Sequence, residues 1–572
     1  MVGGWVSFEN IFYFFFGVVA TLILALLRSI SGSRKIYRFT TIDIVLTLFV
    51  SYVIARTILI NYALWENEPL LIFIALYSLF FVYKTIFCCN AQVFQLFLVG
   101  FPGLALLASG HGILQYLGIV ESNSDLFNIT GTFVNPQIYG GYLASLLPFT
   151  FALYYYSKNL RRERFFTHLS WVSIAFLLIA LVLSQSRAAW LASIVSVAFL
   201  LQYQSRWFAK VKLLVKQPVV LIGLSIGVLF FFGSLIFLKL DSAAGRLLIW
   251  RVSLPMWWDN LLLGIGYGQF KVQYLDYQAA FFTSYAGLDY AEKIAGMTHY
   301  AFNEFLQISI ELGVIGLILF LILLIVIFSP ISSTNVNLAN RRWRGVVAQS
   351  CIINILIFSL FSYPFSILPI HLHFFVSLAL LSSVTDTQYM FTLRKPIFIA
   401  AILVCIVFGQ LQWKRFQATK QWRQAASTFS FDRESAIAQY EKVYHTLNYK
   451  GEFLYNYGAE LSEASYAIQS IDVLEQAKEK FNHLDLHLYL GKSYQEIGEV
   501  LKAEQAFLHA KNMIPHRFLP RYLLVKLYQD MGASEKAVLM AKSILNMEEK
   551  VPSNIVQEIK SEMKEFLSKG QL

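Results

Sequence analysis

The chain has 572 residues, 57% hydrophobic and only 14% charged, with a net charge of +11 and a mean hydropathy of +0.56. Ordinary soluble domains carry about 25% charged residues, so this composition excludes a soluble globular enzyme and puts most of the chain in a bilayer. A nucleic-acid partner is excluded by where the charge lies: from Trp413 onward 21 Lys and Arg face 20 Asp and Glu, leaving 25 basic against 15 acidic groups in the first 412 residues. Membrane proteins collect Lys and Arg in cytoplasmic loops in just this way.

Apolar runs of about 17 to 22 residues suit a hydrocarbon core about 30 Å thick. In chain order they fall near 11–27, 42–60, 69–87, 91–110, 138–157, 169–184, 188–203, 218–238, 304–328, 346–363, 372–385 and 397–412. An all-α, polytopic membrane domain of about twelve helices over residues 1–412 is expected on that basis. The first run lacks a basic start and a small-residue cleavage site, so it reads as a retained span rather than a signal peptide. Cys88, Cys89, Cys351 and Cys405 fall in or beside apolar segments, which argues against a disulfide framework or a cysteine zinc site.

The loops alternate in charge. One set carries "RSISGSRKIYR", Lys84, "KNLRRER", "RWFAKVK" with Lys216, "RRWR" and "RK", whereas "NYALWENEP", the 111–137 loop and "YPFSILPIH" have no Lys or Arg. The positive-inside rule puts the first set in the cytoplasm. Both termini, the 111–137 loop and the long 239–300 segment then share the extracytoplasmic side.

Three polar stretches interrupt the apolar pattern. In "LSQSRAAWLA" (183–192), Arg187 sits between two short apolar runs, as an interfacial anchor with Trp190 or as a cation facing a buried anion. In "AAGRLLIWRVSLPMWWDNLLLGIGYGQF" (243–270), Arg246 and Arg251 would point about 140° apart on one helix, and Gly264, Gly266 and Gly268 lack the dinucleotide spacing and read as a tight turn. In "THYAFNEFLQISIELGVIG" (298–316), His299, Asn303, Gln307 and Glu311 recur every fourth residue. They form one stripe if the helix begins by His299, with Gly313 and Gly316 allowing close helix contact deeper in the bilayer. Such groups at membrane depth usually line a cavity. Arginine forks match phosphate oxygens bidentately, and His299, Glu304 and Glu311 are candidate proton acceptors. No Asp-x-Asp pair, His/Cys cluster or Walker loop is visible in sequence, so neither metal nor cofactor is expected.

The tail, residues 413–572, has an internal period. "LHLYLGKSYQEIGEVLKAEQAFLHAKNMIP" places Leu490, Gly491, Tyr494, Ala503, Phe507, Ala510 and Pro515 at tetratricopeptide (TPR) offsets, and Tyr494, Gly498 and Ala503 recur as Tyr528, Gly532 and Ala537. A soluble TPR-like α-solenoid is expected, whose stacked helix pairs offer a concave surface for a protein partner.

Four segments in order resemble the O-antigen ligase / O-antigen polymerase superfamily, which includes the bacterial protein O-oligosaccharyltransferases. "GTFVNPQIYGGYLA" (131–144) is similar to its G-T-F-x-N-P-N segment and "SQSRAAWLA" to its S-x-S-R motif. "GRLLIWRVSLPMWWDNLLLGIGYGQF" resembles G-R-x-x-x-W followed by G-x-G-x-x-x-F, and "AFNEFLQISIELGVIGL" resembles H-N-x-x-L-Q-x-x-x-E-x-G-x-x-G-L. The resemblance covers residues 91–412, and a C-terminal TPR array is a familiar attachment. It implies a glycosyltransferase-C-like fold in the bacterial inner membrane, with active site and tail facing the periplasm. The implied reaction moves a preassembled glycan from undecaprenyl diphosphate to a lipid A–core sugar, a protein Ser/Thr or a growing polymer, independent of metal. The resemblance implies that Arg187 and Arg246 handle the diphosphate, and Arg251, Asn135, Asn303, Gln307 and Glu311 are the further candidate substrate contacts. The family's His before the Asn is replaced here by Phe302, so His299 substitutes as the base, or the carboxylate of Glu304 does, or the reaction relies mainly on leaving-group stabilisation. The alternative from another class is a non-enzymatic polyprenyl-glycan transporter or a TPR assembly scaffold.

Overall fold

The computed structural model describes residues 8–31, 36–60, 64–89, 91–159, 164–204, 240–285, 287, 289–329, 338–386, 388–392, 395–550 and 552–569. The span expected at 218–238 lies outside them. The chain divides into two compact units. The first comprises Met1–Leu238, Leu262–Tyr267 and Phe302–Trp413, and the second Lys239–Leu261, Gly268–Ala301 and Lys414–Leu572.

The first unit is a helical membrane bundle. Among the described residues, 7 helices are long and apolar enough to cross a membrane, from Asn10–Ile30 to Lys395–Thr428, and two shorter apolar helices, Arg187–Gln202 and Leu368–Val384, accompany them. The chain is a multi-pass membrane protein. The Pro136–Asn159 helix is less apolar because it meets protein on most sides: Leu143, Ala144, Leu146 and Phe149 are fully buried. Gly140 and Gly141 make that packing possible. A Cβ on Gly140 would sit 2.6 Å from the Ser186 Cβ, and one on Gly141 2.3 Å from the Phe358 ring.

One feature departs from an all-helical chain. Ile36–Phe39 pairs antiparallel with Tyr389–Thr392 in a two-stranded ribbon, Ile36 opposite Thr392. Beneath it, Thr40 and Asp43 form a capping box that starts the Thr41–Leu59 helix. Asp43 also accepts from the Ser382 hydroxyl at 2.7 Å and pairs with Lys84. Lys84, counted above with the loop charges, lies inside the Glu68–Cys89 helix, buried, and donates to the Arg38 carbonyl at 2.8 Å. A buried ion pair is tolerable when its remaining hydrogen-bonding capacity is satisfied in this way.

The second unit joins the helices Leu240–Asp259, Phe270–Ser284 and Asp289–Ile294 to the helices of the tail, Arg433–Leu447 through Asn554–Lys569. The tail helices pair as hairpins whose turns carry Ser465, Gly498 and Gly532 at φ 63°, 81° and 69°. The 34-residue period shows as a repeated contact: Lys502 lies 5.5 Å over the Tyr494 ring and Lys536 5.2 Å over Tyr528. Gly458 and Gly491 face Leu474 and Phe507 so closely that a Cβ would overlap them. The loop helices are seated on the tail. Gln278 donates to the Met513 carbonyl at 2.5 Å and Asn512 to the Thr283 hydroxyl at 2.9 Å.

Candidate functional site

The Glu304–Ile327 helix is where the first unit breaks its own regularity. Gly313 leaves helical geometry at φ 68°, ψ −173°, which frees carbonyls that lipid could not satisfy. The Leu262–Tyr267 turn supplies the missing donors. Ile265 N–H donates to the Ile310 carbonyl at 2.9 Å and Gly266 N–H to the Glu311 carbonyl at 2.8 Å. The Tyr52 hydroxyl takes the Leu312 carbonyl at 2.7 Å, while Arg56 Nε and Asn67 hold the turn by the Leu263 and Tyr267 carbonyls at 2.8 and 2.9 Å. Only glycine fits at the contact: a Cβ on Gly313 would stand 2.2 Å from the Leu262 carbonyl oxygen, and one on Gly264 2.4 Å from the Glu311 carbonyl. Gly313 is therefore a helix break rather than the packing position its sequence implies. Gly316 does pack closely, with Tyr52 3.2 Å from its would-be Cβ.

The start of this helix corrects the expected stripe. Asn303 is extended, at φ −155°, and its side chain caps the helix by accepting from Leu306 N–H at 3.1 Å. Phe302 before it is left-handed, at φ 53°. A helix cannot continue backward through such a pair, so His299 lies off the helix and Asn303 serves as its cap. Gln307 and Glu311 remain on one face, Gln307 Nε2 donating to Glu311 Oε1 at 3.3 Å. Glu304 is buried, and its Oε1 accepts from Phe365 N–H at 2.8 Å.

Other helix starts join here. Asn135 opens the Pro136–Asn159 helix, its Oδ1 accepting from Gln137 N–H at 2.8 Å. Arg187, half-buried, is the first residue of the Arg187–Gln204 helix and follows Gln185, left-handed at φ 51°. The Ser186 hydroxyl donates to the Gln137 carbonyl at 3.3 Å, and Gln137 Nε2 to the Phe361 carbonyl at 3.0 Å. Phe361 and Phe365 belong to the connector that leads into the Leu368–Val384 helix, and Tyr363 on it meets the Phe302 ring edge-on at 5.1 Å. The starts of four helices are thus tied to one connector or to each other. Helix N-termini concentrate unpaired N–H groups and partial positive charge, a setting for anions. Among the described residues only Gln185, Phe302 and Ser465 are non-glycine residues with positive φ, and two of these strained positions directly precede this site. Ser362 Oγ on the connector is buried without a hydrogen-bond partner. The Trp190 indole donates to the Leu181 carbonyl at 2.6 Å and so satisfies an end carbonyl of the preceding helix.

Arg246, Arg251 and His299 belong to the second unit. Arg246 and Arg251 share the Leu240–Asp259 helix, Arg251 lying 5.3 and 5.7 Å over the rings of Phe281 and Tyr285. His299 is half-buried; burial, then Lys271, pushes its imidazole below the ordinary histidine range. Sequence reasoning missed His371 and His373. His371 is buried with its ring 5.2 Å from that of Phe365, and His373 Nδ1 lies 2.8 Å from the Ser145 hydroxyl. The signal was two imidazoles in "PIHLHFF", a run whose loop drew notice only for lacking Lys and Arg.

Residues 172–321 match the family described as O-antigen ligase. A 122-residue stretch is 34% identical to a Rickettsia conorii protein whose name proposes a polysaccharide ligase, and this covers 21% of the present chain and 27% of the relative. The chain thus spans about a quarter of the length of the curated relative it matches. The family match includes Arg187, Arg246, Arg251, His299 and the broken helix, and stops short of Asn135 and the 360–371 connector. Residues 172–321 of this multi-pass helical protein are thus similar to the O-antigen ligase family.

Proposed function

We propose that the protein transfers a preassembled glycan from an undecaprenyl-diphosphate carrier to an acceptor hydroxyl, on a lipid A–core sugar or a protein Ser/Thr, at the periplasmic face of a bacterial inner membrane. The observation that carries this reading is the meeting of helix N-termini with Arg187 in a membrane unit that also buries Glu304 and Glu311. Such a setting favours a dianionic head group and leaves carboxylates within the same bundle to take a proton.

In this reaction the acceptor oxygen attacks the anomeric carbon, the bond from that carbon to the diphosphate oxygen breaks, and undecaprenyl diphosphate leaves with the bonding pair. Arg187 stabilises the departing charge, and the family resemblance implies the same role for Arg246, with Arg251 a further candidate. The acceptor's proton passes to Glu304 or to His299. Glu304 already has one oxygen fixed by Phe365 N–H, which leaves the other for a substrate hydroxyl. His299 is held neutral by burial and Lys271, the form that accepts a proton. Asn135, Asn303, Gln307 and Glu311 serve to position substrate and the helix starts.

The test uses full-length protein in nanodiscs with an undecaprenyl-diphosphate-linked glycan and, separately, lipid A–core, an unglycosylated protein and a second donor as acceptor. Release of undecaprenyl diphosphate is expected with one of the first two. Arg187→Ala should slow it about 100-fold or more, the scale of removing one transition-state charge contact. Turnover with the second donor alone would instead identify a polymerase. Absence of release with every acceptor, or full turnover by Arg187→Ala, would overturn the assignment.

A further inference from the structure

Three residues far apart in sequence meet where the loop helix lies on the tail. Asp276 is on the Phe270–Ser284 helix, His487 on Leu484–Glu496 and His509 on Val500–Met513. One ligand atom of each lies within 4.8 Å of the others. His509 Nε2 is 2.8 Å from Asp276 Oδ1, and the two imidazole rings are 4.6 Å apart at 54°, so they converge at an angle rather than stack.

Their surroundings are those of ligands already oriented. His487 is buried, and its Nε2 lies 3.0 Å from Asn482 Oδ1. An amide oxygen only accepts, so Nε2 carries the proton and Nδ1 keeps its lone pair. Metal-ligating histidines are typically held this way, the far ring nitrogen donating to a carbonyl or carboxylate. Asn482 is itself buried, and its Nδ2 has no hydrogen-bond partner. Asp276 is exposed and His509 half-exposed, which gives a cation its entry and leaves a position for water.

We propose that Asp276, His487 and His509 form a binding site for a divalent first-row metal ion, zinc by ligand type, that clips the Phe270–Ser284 helix to the tail. Two imidazoles and a carboxylate suit zinc with water as the fourth ligand, at about 2.0–2.2 Å for each bond. The present spread of ligand atoms needs small side-chain rotations to reach that sphere. The clip ties an extracytoplasmic loop helix to two adjacent helices of the repeat array, so it acts on how firmly the loop is seated.

The experiment uses the full chain, purified on a tag free of histidine, stripped with chelator and titrated with Co²⁺ and with Zn²⁺. One equivalent of Co²⁺ should give visible ligand-field bands that Zn²⁺ displaces. Asp276→Asn and His509→Gln, both conservative and solvent-accessible, should each weaken binding at least about 10-fold, with Zn²⁺ raising the melting temperature of the parent and not of either variant. No bands and no retained metal in the parent, or equal affinity in both variants, would leave only a His–Asp hydrogen bond and overturn the proposal.

Discussion

Glu460 illustrates how a single buried group sets pH dependence in the tail. Burial raises its carboxyl to about 7 from an ordinary 4.5, only partly opposed by Tyr440 and Asn456, and its Oε2 has no hydrogen-bond partner. Between those values the folded chain holds a proton that the unfolded chain has released. Stability therefore falls as pH rises from about 4.5 to about 7 and is level above that. Glu460→Gln should abolish the slope. Hydrogen exchange of residues 433–463 should then be slower than in the parent at pH 8, after correction for intrinsic rates, and equal at pH 4. A parent whose protection does not decline with pH would contradict this account. Glu304→Gln and His299→Ala belong to the same scale: one should reduce glycan transfer about 100-fold and the other little, measured as undecaprenyl diphosphate release. Full transfer by both would remove both as the base.

At the scale of elements, the broken helix is the feature most exposed to mutation. Gly313→Ala and Gly264→Ala each force a Cβ into backbone at a left-handed position. Each should cost about 3 kcal/mol or more, a size associated with strain plus overpacking. Gly118→Ala is the control, since Gly118 is also left-handed, at φ 72°, but has nothing within 4 Å of a would-be Cβ; about 1 kcal/mol is expected there. Melting of the detergent-solubilised chain should rank the three accordingly. The spans were readable because hydropathy reports burial in lipid directly: Glu304–Ile327 and Thr41–Leu59 lie within a residue of the apolar runs. The break at Gly313 was not readable, because glycine in an apolar helix signals close packing and a break equally well. Only the partner turn at Leu262–Tyr267, about 50 residues away, decides between them. The stripe from His299 failed for a local reason: Asn303 is worth more as a cap than as a mid-helix residue.

Across the whole molecule, what sequence conveyed best was the separation of apolar from charged lengths of chain. It also implies an orientation. A reporter active only outside the cytoplasm, fused after Lys420, should be active, and the same reporter placed in the 205–216 stretch should be silent; the reverse pattern would invert the proposed sidedness. Contacts between distant segments were invisible, the Asp276–His509 pair being 233 residues apart and the Glu304–Phe365 contact 61. Distance along the chain also has a consequence in time. Asp43 on an early helix reaches Lys84 41 residues later, but a further partner, Ser382, follows 339 residues on. At synthesis rates of about 5–20 residues per second, the early helices wait roughly 20 to 70 seconds for that hydroxyl and for the strand that completes the ribbon. Biogenesis therefore runs through a half-built bundle whose buried charges are neutralised early by Lys84, and a nascent chain stalled before Ser382 should be the form that membrane quality control recognises.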